Sequence, residues 1–289
     1  MKIIFTTDLH GTSWKYQRIL ELAQKLKVDA VVNGGDLLPV NSDLTVQKDF
    51  ILNFLDDYFH QYESSNIYHL SVMGNTDFKC FDPLFNEITS NYDYTENLSA
   101  RKVKIDEYEF IGTDLMPDYP FRLKDRCRLD NPHDEFPEQC GKGLLSSLQG
   151  WEDIEDWFNY AKKLPTLKEE LDNLPHPENV KKAVYVMHMP PAFTGLDVCQ
   201  GNVTVGSKSI YHFFRNKQPL LSLHGHIHES PKMSRIWNSN IKNTTCIQPG
   251  QDNEDLVYVM GNLEKMEFQR FIEIEDLKDS SINRRLKST

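Results

Sequence analysis

Residues 219–228 read Pro-Leu-Leu-Ser-Leu-His-Gly-His-Ile-His, a short apolar run that ends in three alternating histidines, His224, His226 and His228. In an extended segment residues i and i+2 share a face. The imidazoles would then project into one small space, a poor arrangement if protonated and a useful one for gripping a metal. The same grammar recurs along the chain. "KIIFTTD" (2–8) runs into Asp8 and His10, "DAVVNGGD" (29–36) into Asp36, "NIYHLSVMGNTD" (66–77) into Asn75, and "KAVYVMHMPP" (182–191) into His188.

Helical spacing separates these runs. "WKYQRILELAQKLKV" (14–28) repeats through Ile19, Leu22 and Leu26. "VQKDFILNFLDDYFHQYE" (46–63) carries Phe50, Phe54 and Tyr58 on one face, with Ile51, Leu55, Phe59 and Tyr62 beside them. "SKSIYHFFRNKQ" (207–218) reads as a helix opened by Ser207. Strand and helix therefore alternate, which argues for βαβ units and a largely parallel sheet. "RKVKIDEYEFIGTD" (101–114) reads as a strand pair. "NTTCIQPG", "DLVYVMGNL" and "EFQRFIEIE" read as late antiparallel strands.

Residues 115–180 break the rhythm with seven prolines and two helical-looking pieces, 151–164 and 166–174. They read as an insertion or cap packed on a single domain spanning 1–275, followed by a polar tail, 276–289. The acidic run Glu152–Asp156 reads as a solvated helix face. "RLKDRCR" (122–128) reads as surface charge, the sharper alternative being a phosphate-facing lid.

In open α/β sheets ligands bind at the carboxyl ends of the strands. Asp8, His10, Asp36, Asn75, His188, His226 and His228 would then converge on one edge. Any one of them has an ordinary reading, as a cap, a turn residue or a satisfied buried histidine. Their joint occurrence at strand ends moves the reading to metal ligation. Oxygen and nitrogen donors without thiolate suit Mn²⁺, Fe or Zn²⁺ and exclude a Cys-type structural zinc site. Seven donors exceed the need of one tetrahedral ion and suit two divalent ions sharing a carboxylate, the clamp used for displacement at phosphorus. Glycines beside several donors (Gly34-Gly35, Gly74, Gly225) permit close approach.

D-x-H (Asp8, His10), G-G-D (Asp36), G-N-x-D (Asn75, Asp77), a lone strand-end His188 and G-H-x-H (His226, His228) follow one another in an order that resembles the calcineurin-like metallophosphoesterases. "HMPP", then "GS" and "QPLLSLHGHIHESP", is similar to the branch described as Icc-related predicted phosphoesterases. The resemblance implies a four-layer α-β-β-α sandwich of two mixed sheets, with the second-half strands forming the second sheet and 115–180 a helical insertion. It implies that Asp8, His10 and His228 hold one ion, that Asn75, His188 and His226 hold another, and that Asp36 bridges. It also implies attack on phosphorus by a metal-bridging hydroxide, with Asp36, Asn75 and His226 at the reacting centre.

One position departs from the resemblance. Many members carry His after the Gly-Asn, where it assists the leaving group; here the residue is Thr76, whose hydroxyl is too weak an acid for that work. His224 and His212 are candidates for a substitute acid, and Asp77 for orienting a neighbour. His224 alternatively reads as a packed histidine. Met187, Met189 and Met233 read as core filler, and Cys199 as a buried thiol with no basic partner.

Charge and cysteine content narrow the function. Net charge −11 and a pI near 5.4 argue against a duplex nucleic-acid surface and leave a small phosphorylated substrate open. Five widely spaced cysteines fit free thiols in a reducing, cytoplasmic setting. No apolar run is long enough to span a membrane. The expected function is metal-dependent hydrolysis of a small phosphodiester or nucleotide. The alternative is a binding scaffold of the same fold with little catalysis, as in the retromer subunit that resembles these enzymes. An apolar cap face or the late strands offer a homodimer surface.

Overall fold

A computed structural model describes residues 1–133, 136–251, 254–274 and 287–288. The first half runs β1 (Lys2–Thr6), α1 (Ser13–Leu26), β2 (Ala30–Asn33), α2 (Leu44–Asp49), a π-helical segment (Phe50–Leu55), α3 (Asp56–Ser65), β3 (Tyr68–Ser71), α4 (Asp82–Thr89), β4 (Thr95–Asn97), β5 (Lys102–Ile105) and β6 (Tyr108–Thr113). The insertion holds β7 (Met116–Pro117), β8 (Cys127–Arg128), β9 (Gly143–Ser147), β10 (Gly150–Ile154), α5 (Trp157–Ala161) and α6 (Leu167–Asp172). The second half runs β11 (Ala183–Met187), β12 (Val198–Cys199), β13 (Val203–Thr204), α7 (Lys208–Lys217), β14 (Leu221–Leu223), α8 (Ser230–Ser234), β15 (Asn238–Ile241), β16 (Thr244–Ile247), β17 (Asp255–Asn262), β18 (Glu267–Ile274) and β19 (Lys287–Ser288).

The main strands form two mixed sheets. The first has the order β19-β18-β17-β1-β2-β3-β4 and the second β15-β16-β14-β11-β6-β5. Within them β1 to β4 are parallel neighbours, as are β6, β11, β14 and β16. The period-2 alternation of side chains sorts residues between layers. Ile3 and Phe5 of β1, Val32 of β2, and Val184 and Val186 of β11 point into the core between the sheets. Ile4 and Val31 point the other way, into a core shared with Tyr16, Ile19, Leu55, Phe59 and Phe85 of the helical layer. Tyr185 and Met187 face a third core with Phe213 and Phe214 of α7 and with the insertion. Three apolar interfaces separate four layers, and the order is α-β-β-α.

The long second helix of the sequence is interrupted by its π segment. There Phe50 stacks on Phe54 at 4.6 Å between centroids, and Tyr58, one turn on in α3, meets Tyr16 edge-on at 5.1 Å. The extra residue per turn keeps these rings and the Ile51–Leu55–Phe59 row against the same neighbours.

Three expectations are corrected. The late strands do not all join the second sheet: β17 pairs antiparallel with β1, and β18 with β17, so both return to the first sheet. β16 lies parallel to β14, with only β15 antiparallel beside it. The insertion is not purely helical. Residues 150–154 form a hairpin with 143–147, turning at Leu148-Gln149, and the return strand opens on Gly150, whose φ of +130° suits only glycine. Helix starts after it, where the Asp156 carboxylate accepts the Asn159 N–H as an N-cap. Glu152 and Asp153 therefore sit on an exposed strand and Asp156 caps a helix, which replaces the solvated helix face. The tail expected at 276–289 lies outside the described residues apart from 287–288, which pair with β18.

Candidate metal centre

Both sheets deliver polar side chains to one edge. Asp8 and His10 follow β1, Asp36 follows β2, Asn75 follows β3, His188 follows β11, and His226 and His228 follow β14. The loops after β1 and β2 are stitched together: the Asp8 N–H donates to Gly35 O at 2.9 Å and the His10 N–H to Asp36 O at 2.9 Å. The two sheets are stitched by the His226 N–H, which donates to both oxygens of Asp8 at 3.1 Å. Asp8, His10, Asp36 and His226 all adopt left-handed backbone, with φ of 56°, 46°, 51° and 68°. Each such residue costs about 1–2 kcal/mol, strain of the kind that collects at functional sites.

The donor atoms converge. One ligand atom each from Asp8, His10, Asp36 and His228 lies within 4.8 Å of the others. His228 Nε2 is 3.3 Å from Asp8 Oδ1 and 3.2 Å from His10 Nε2. Two imidazole nitrogens at that distance need a proton or a cation between them. On the other side of Asp36, His188 Nε2 lies 3.4 Å from Asp36 Oδ2 and 3.0 Å from Asn75 Oδ1, and Asn75 Oδ1 is 2.7 Å from His226 Nδ1. Asp36 also stands 3.8 Å from His10, so it touches both groups. All seven side chains singled out in the sequence are thus brought together.

The residues behind them set orientation. His188 Nδ1 lies 2.8 Å from Gly34 O; donating there, it turns the Nε2 lone pair toward the cluster. Asp77 is wholly buried and accepts the N–H groups of Leu37, Leu38 and Gly74 at 3.0, 2.7 and 2.8 Å, tying the Asp36 loop to the Asn75 loop. The Thr76 N–H donates to Asp36 Oδ1 at 2.8 Å, and its hydroxyl stands 3.4 Å from His10 Nδ1.

Burial and charge pull against each other here. Burial would raise the Asp8 carboxyl, but His228 and His188 hold it at about 2. Asp36 is likewise held well below the usual carboxylate range, chiefly by His188 against its burial. Burial would lower His188, but Asp36 and Asp8 push it up to about 9. Burial pulls His226 down to about 4, and pushes Asp77 up to about 7 with help from Asp36. Two buried anions beside imidazole and amide donors form a cluster suited to cations. The donor set fits divalent metal.

His224 does not join the cluster. Its ring is fully buried, Nδ1 lies 3.0 Å from both Met187 O and Met189 O, and Nε2 lies 2.9 Å from Ser222 Oγ. Neither nitrogen is left to serve a leaving group. His212 is exposed on α7, beside Tyr211, and has no contact with the cluster among the described residues. Cys199 is half-buried and burial pushes its thiol up to about 11, which removes it as a nucleophile.

The buried neutral histidines carry a pH signature. Burial lowers His224 to about 4 and His69 to about 3. Both stay neutral in the fold, whereas the unfolded chain takes up their protons below about 6.5. Their contribution is intact above that pH and is lost as pH falls from 6.5 toward 3–4, at up to about 1.4 kcal/mol per pH unit for each ring. Among the described residues His69 Nδ1 has no hydrogen-bond partner, and its ring packs among Tyr58, Phe59 and Tyr62, so His69→Phe keeps the packing. Urea unfolding between pH 4 and 6.5 is expected to lose roughly that increment of slope in His69→Phe; an unaltered slope refutes the assignment.

The basic stretch 122–128 is neither solvated charge nor a lid aimed at phosphate. Lys124 donates to Asp118 at 2.7 Å, and Arg128 pairs with Glu170 at 3.1 Å. Arg126 is fully buried: it pairs with Asp114, donates to Asp82 at 2.6 Å and reaches Asp77 O at 3.3 Å. Only Arg122, paired with Asp153 at 3.5 Å, is substantially exposed. Sequence reasoning also missed Tyr119, whose ring packs 6.1 Å from that of His226, and Gln47, which is fully buried and holds Thr76 O at 2.7 Å and the Phe78 N–H at 2.8 Å. A glutamine inside an apolar helical stripe was the one local signal for the latter.

The family model of calcineurin-like phosphoesterases matches residues 1–230. Among solved structures, the protein TT1561 of Thermus thermophilus superposes with a TM-score of 0.53 at 16% identity, covering 93% of this chain and 97% of its own. A dimetal phosphatase from Danio rerio superposes at 0.50 with 10% identity, over 94% and 95%. No curated relative matches the chain. Fold and family together define a metal-dependent hydrolase of phosphoric esters. The chain belongs to the calcineurin-like phosphoesterase family. Among the described residues no helix is long and apolar enough to cross a membrane.

Proposed function

We propose that this chain hydrolyses a small phosphodiester or nucleotide with two divalent ions, Mn, Fe or Zn. Asp8, His10 and His228 would hold one, Asn75, His188 and His226 would hold the other, and Asp36 would serve both. The observation that carries this reading is the position of Asp36, 3.8 Å from His10 Nε2 on one side and 3.4 Å from His188 Nε2 on the other. When bound, such ions polarise phosphoryl oxygens and acidify water. The chain's own residues aim the donors: Gly34 O fixes the His188 ring, Asp77 pins the Asp36 loop, and Tyr119 buttresses His226. The acidic surface favours a small substrate over a duplex. Five unpaired cysteines fit a reducing, cytoplasmic setting.

Thr76 shapes the chemistry. No group placed at that position can donate a proton near neutrality, so the rate should depend steeply on leaving-group acidity. With Mn²⁺-loaded protein, bis(p-nitrophenyl) phosphate is expected to be turned over far faster than diphenyl phosphate. Thr76→His should raise the rate on the poorer leaving group by roughly tenfold or more, while His212→Ala leaves the dependence unchanged. An equal dependence in native protein and Thr76→His overturns this account. A screen of monoesters, cyclic nucleotides and linear diesters identifies the substrate class. Complete inactivity with every metal favours the scaffold reading, to which Thr76 lends its one argument.

A further inference from the structure

A cavity of about 550 Å³ opens against His228. It lies where β17 and β18 of the first sheet meet α8, and Val257 and Ile272 form its apolar wall. That volume is ample for a metabolite-sized group. Two cations face it, Arg270 of β18 and Lys232 of α8. Arg270 is the unusual one. It is half-buried, and its guanidinium gives the Nε proton to Pro249 O at 2.6 Å. Among the described residues it has no carboxylate partner. The other buried or half-buried arginines among the described residues, Arg18, Arg126 and Arg128, are each paired with an acid.

A guanidinium fork that is partly desolvated and left without an anion is a recognition element for phosphate or carboxylate. Burial lowers the Arg270 pKa with no neighbouring charge offsetting it, which agrees with the missing partner. Two acids share the cavity wall: Glu229 accepts the Gln200 N–H at 3.2 Å, and Asp255 has a partner of its own. His228 lines this cavity and also belongs to the metal cluster, so the cavity adjoins the site of the phosphoesterase reading.

We propose that this cavity receives a second anionic group of the substrate, a phosphate or carboxylate remote from the scissile phosphoryl, with Arg270 as its principal ligand and Lys232 at its rim. The inference rests on the phosphoesterase reading of the adjacent cluster and narrows its substrate class to phosphoesters with two anionic centres.

Calorimetric titration of the Mn²⁺-loaded protein tests it. Propylphosphonate carries one anion, whereas propane-1,3-diphosphonate and 4-phosphonobutyrate add a second phosphonate or a carboxylate on a matched chain. The native protein is expected to bind a two-anion compound at least about tenfold tighter than propylphosphonate, as expected for a charged hydrogen bond. R270Q should abolish that preference and R270K should keep part of it. The stronger of the two compounds tells phosphate from carboxylate. The same preference in native protein and R270Q, both folded by thermal melting, overturns the proposal, as does a native protein with no preference. An Arg270-dependent preference in a protein inert toward every ester would overturn the enzymatic reading and leave this pocket assignment standing.

Discussion

Asp36→Asn is expected to lower kcat/KM on bis(p-nitrophenyl) phosphate by on the order of 10³-fold, the range seen when one preorganised electrostatic group is lost from a reacting centre. The substitution isolates charge. Asn keeps an oxygen to accept the Thr76 N–H, which now reaches Asp36 Oδ1 at 2.8 Å. Asn also tolerates the left-handed backbone, φ 51°, that this position adopts. The side chain remains, but the anion between His10 and His188 is gone. Metal content after dialysis should fall with activity, and thermal melting should show a folded protein. Activity within tenfold of native with full metal content would remove Asp36 from the bridging role.

Gly74→Ala should be the most damaging single methyl in the molecule's functional edge. A Cβ at Gly74 would sit 2.1 Å from Asp36 Oδ1 and 2.3 Å from the Asp36 backbone nitrogen. The backbone nitrogen cannot swing aside as a flexible side chain would, so the loops after β2 and β3 must separate. That parting breaks the Gly74 N–H bond to Asp77 and moves Asn75 away from Asp36. Overpacking against fixed backbone is expected to cost about 3–5 kcal/mol, or roughly 10 °C in Tm for a chain of this size. Metal retention should fall with it. Gly201→Ala is the control: nothing lies within 4 Å of its added methyl, and its φ of +77° supplies the conformational penalty alone. Gly74 does not share that positive φ, so a loss below about 1 kcal/mol in Gly74→Ala would mean that the close approach there is unimportant.

The two experiments probe what was most legible in the sequence. Each of the seven donors follows a strand within one to five residues, and a strand's apolar alternation and the polar residues after it are both local, so the chain could be read a few residues at a time. Parallel strands linked by helices all end at one edge, which converts seven local observations into one cluster. The helix over 207–218 was equally local, since Ser207 caps it through the Ile210 N–H.

What escaped was decided over distance. The pair 122–128 and its acids shows why: Arg126 finds Asp82, 44 residues away, and Arg128 finds Glu170, 42 residues away. A count of charges cannot tell a solvated cation from a buried one whose partner comes from another element. The same holds for 150–154, which become strand through pairing with 143–147, and for β17, which sits beside β1 although nearly the whole chain separates them. His224 shares alternate spacing with His226 and His228, yet its ring packs on Phe214 while theirs join Asn75 and His10.

By itself, then, the sequence determined which residue types stand at the ends of which strands, because alternation, capping and glycine placement act between neighbours. The tertiary structure alone decided which strands lie side by side, which charges are neutralised and which histidine turns inward. Those outcomes depend on contacts whose partners are remote along the chain, and no local pattern encodes them.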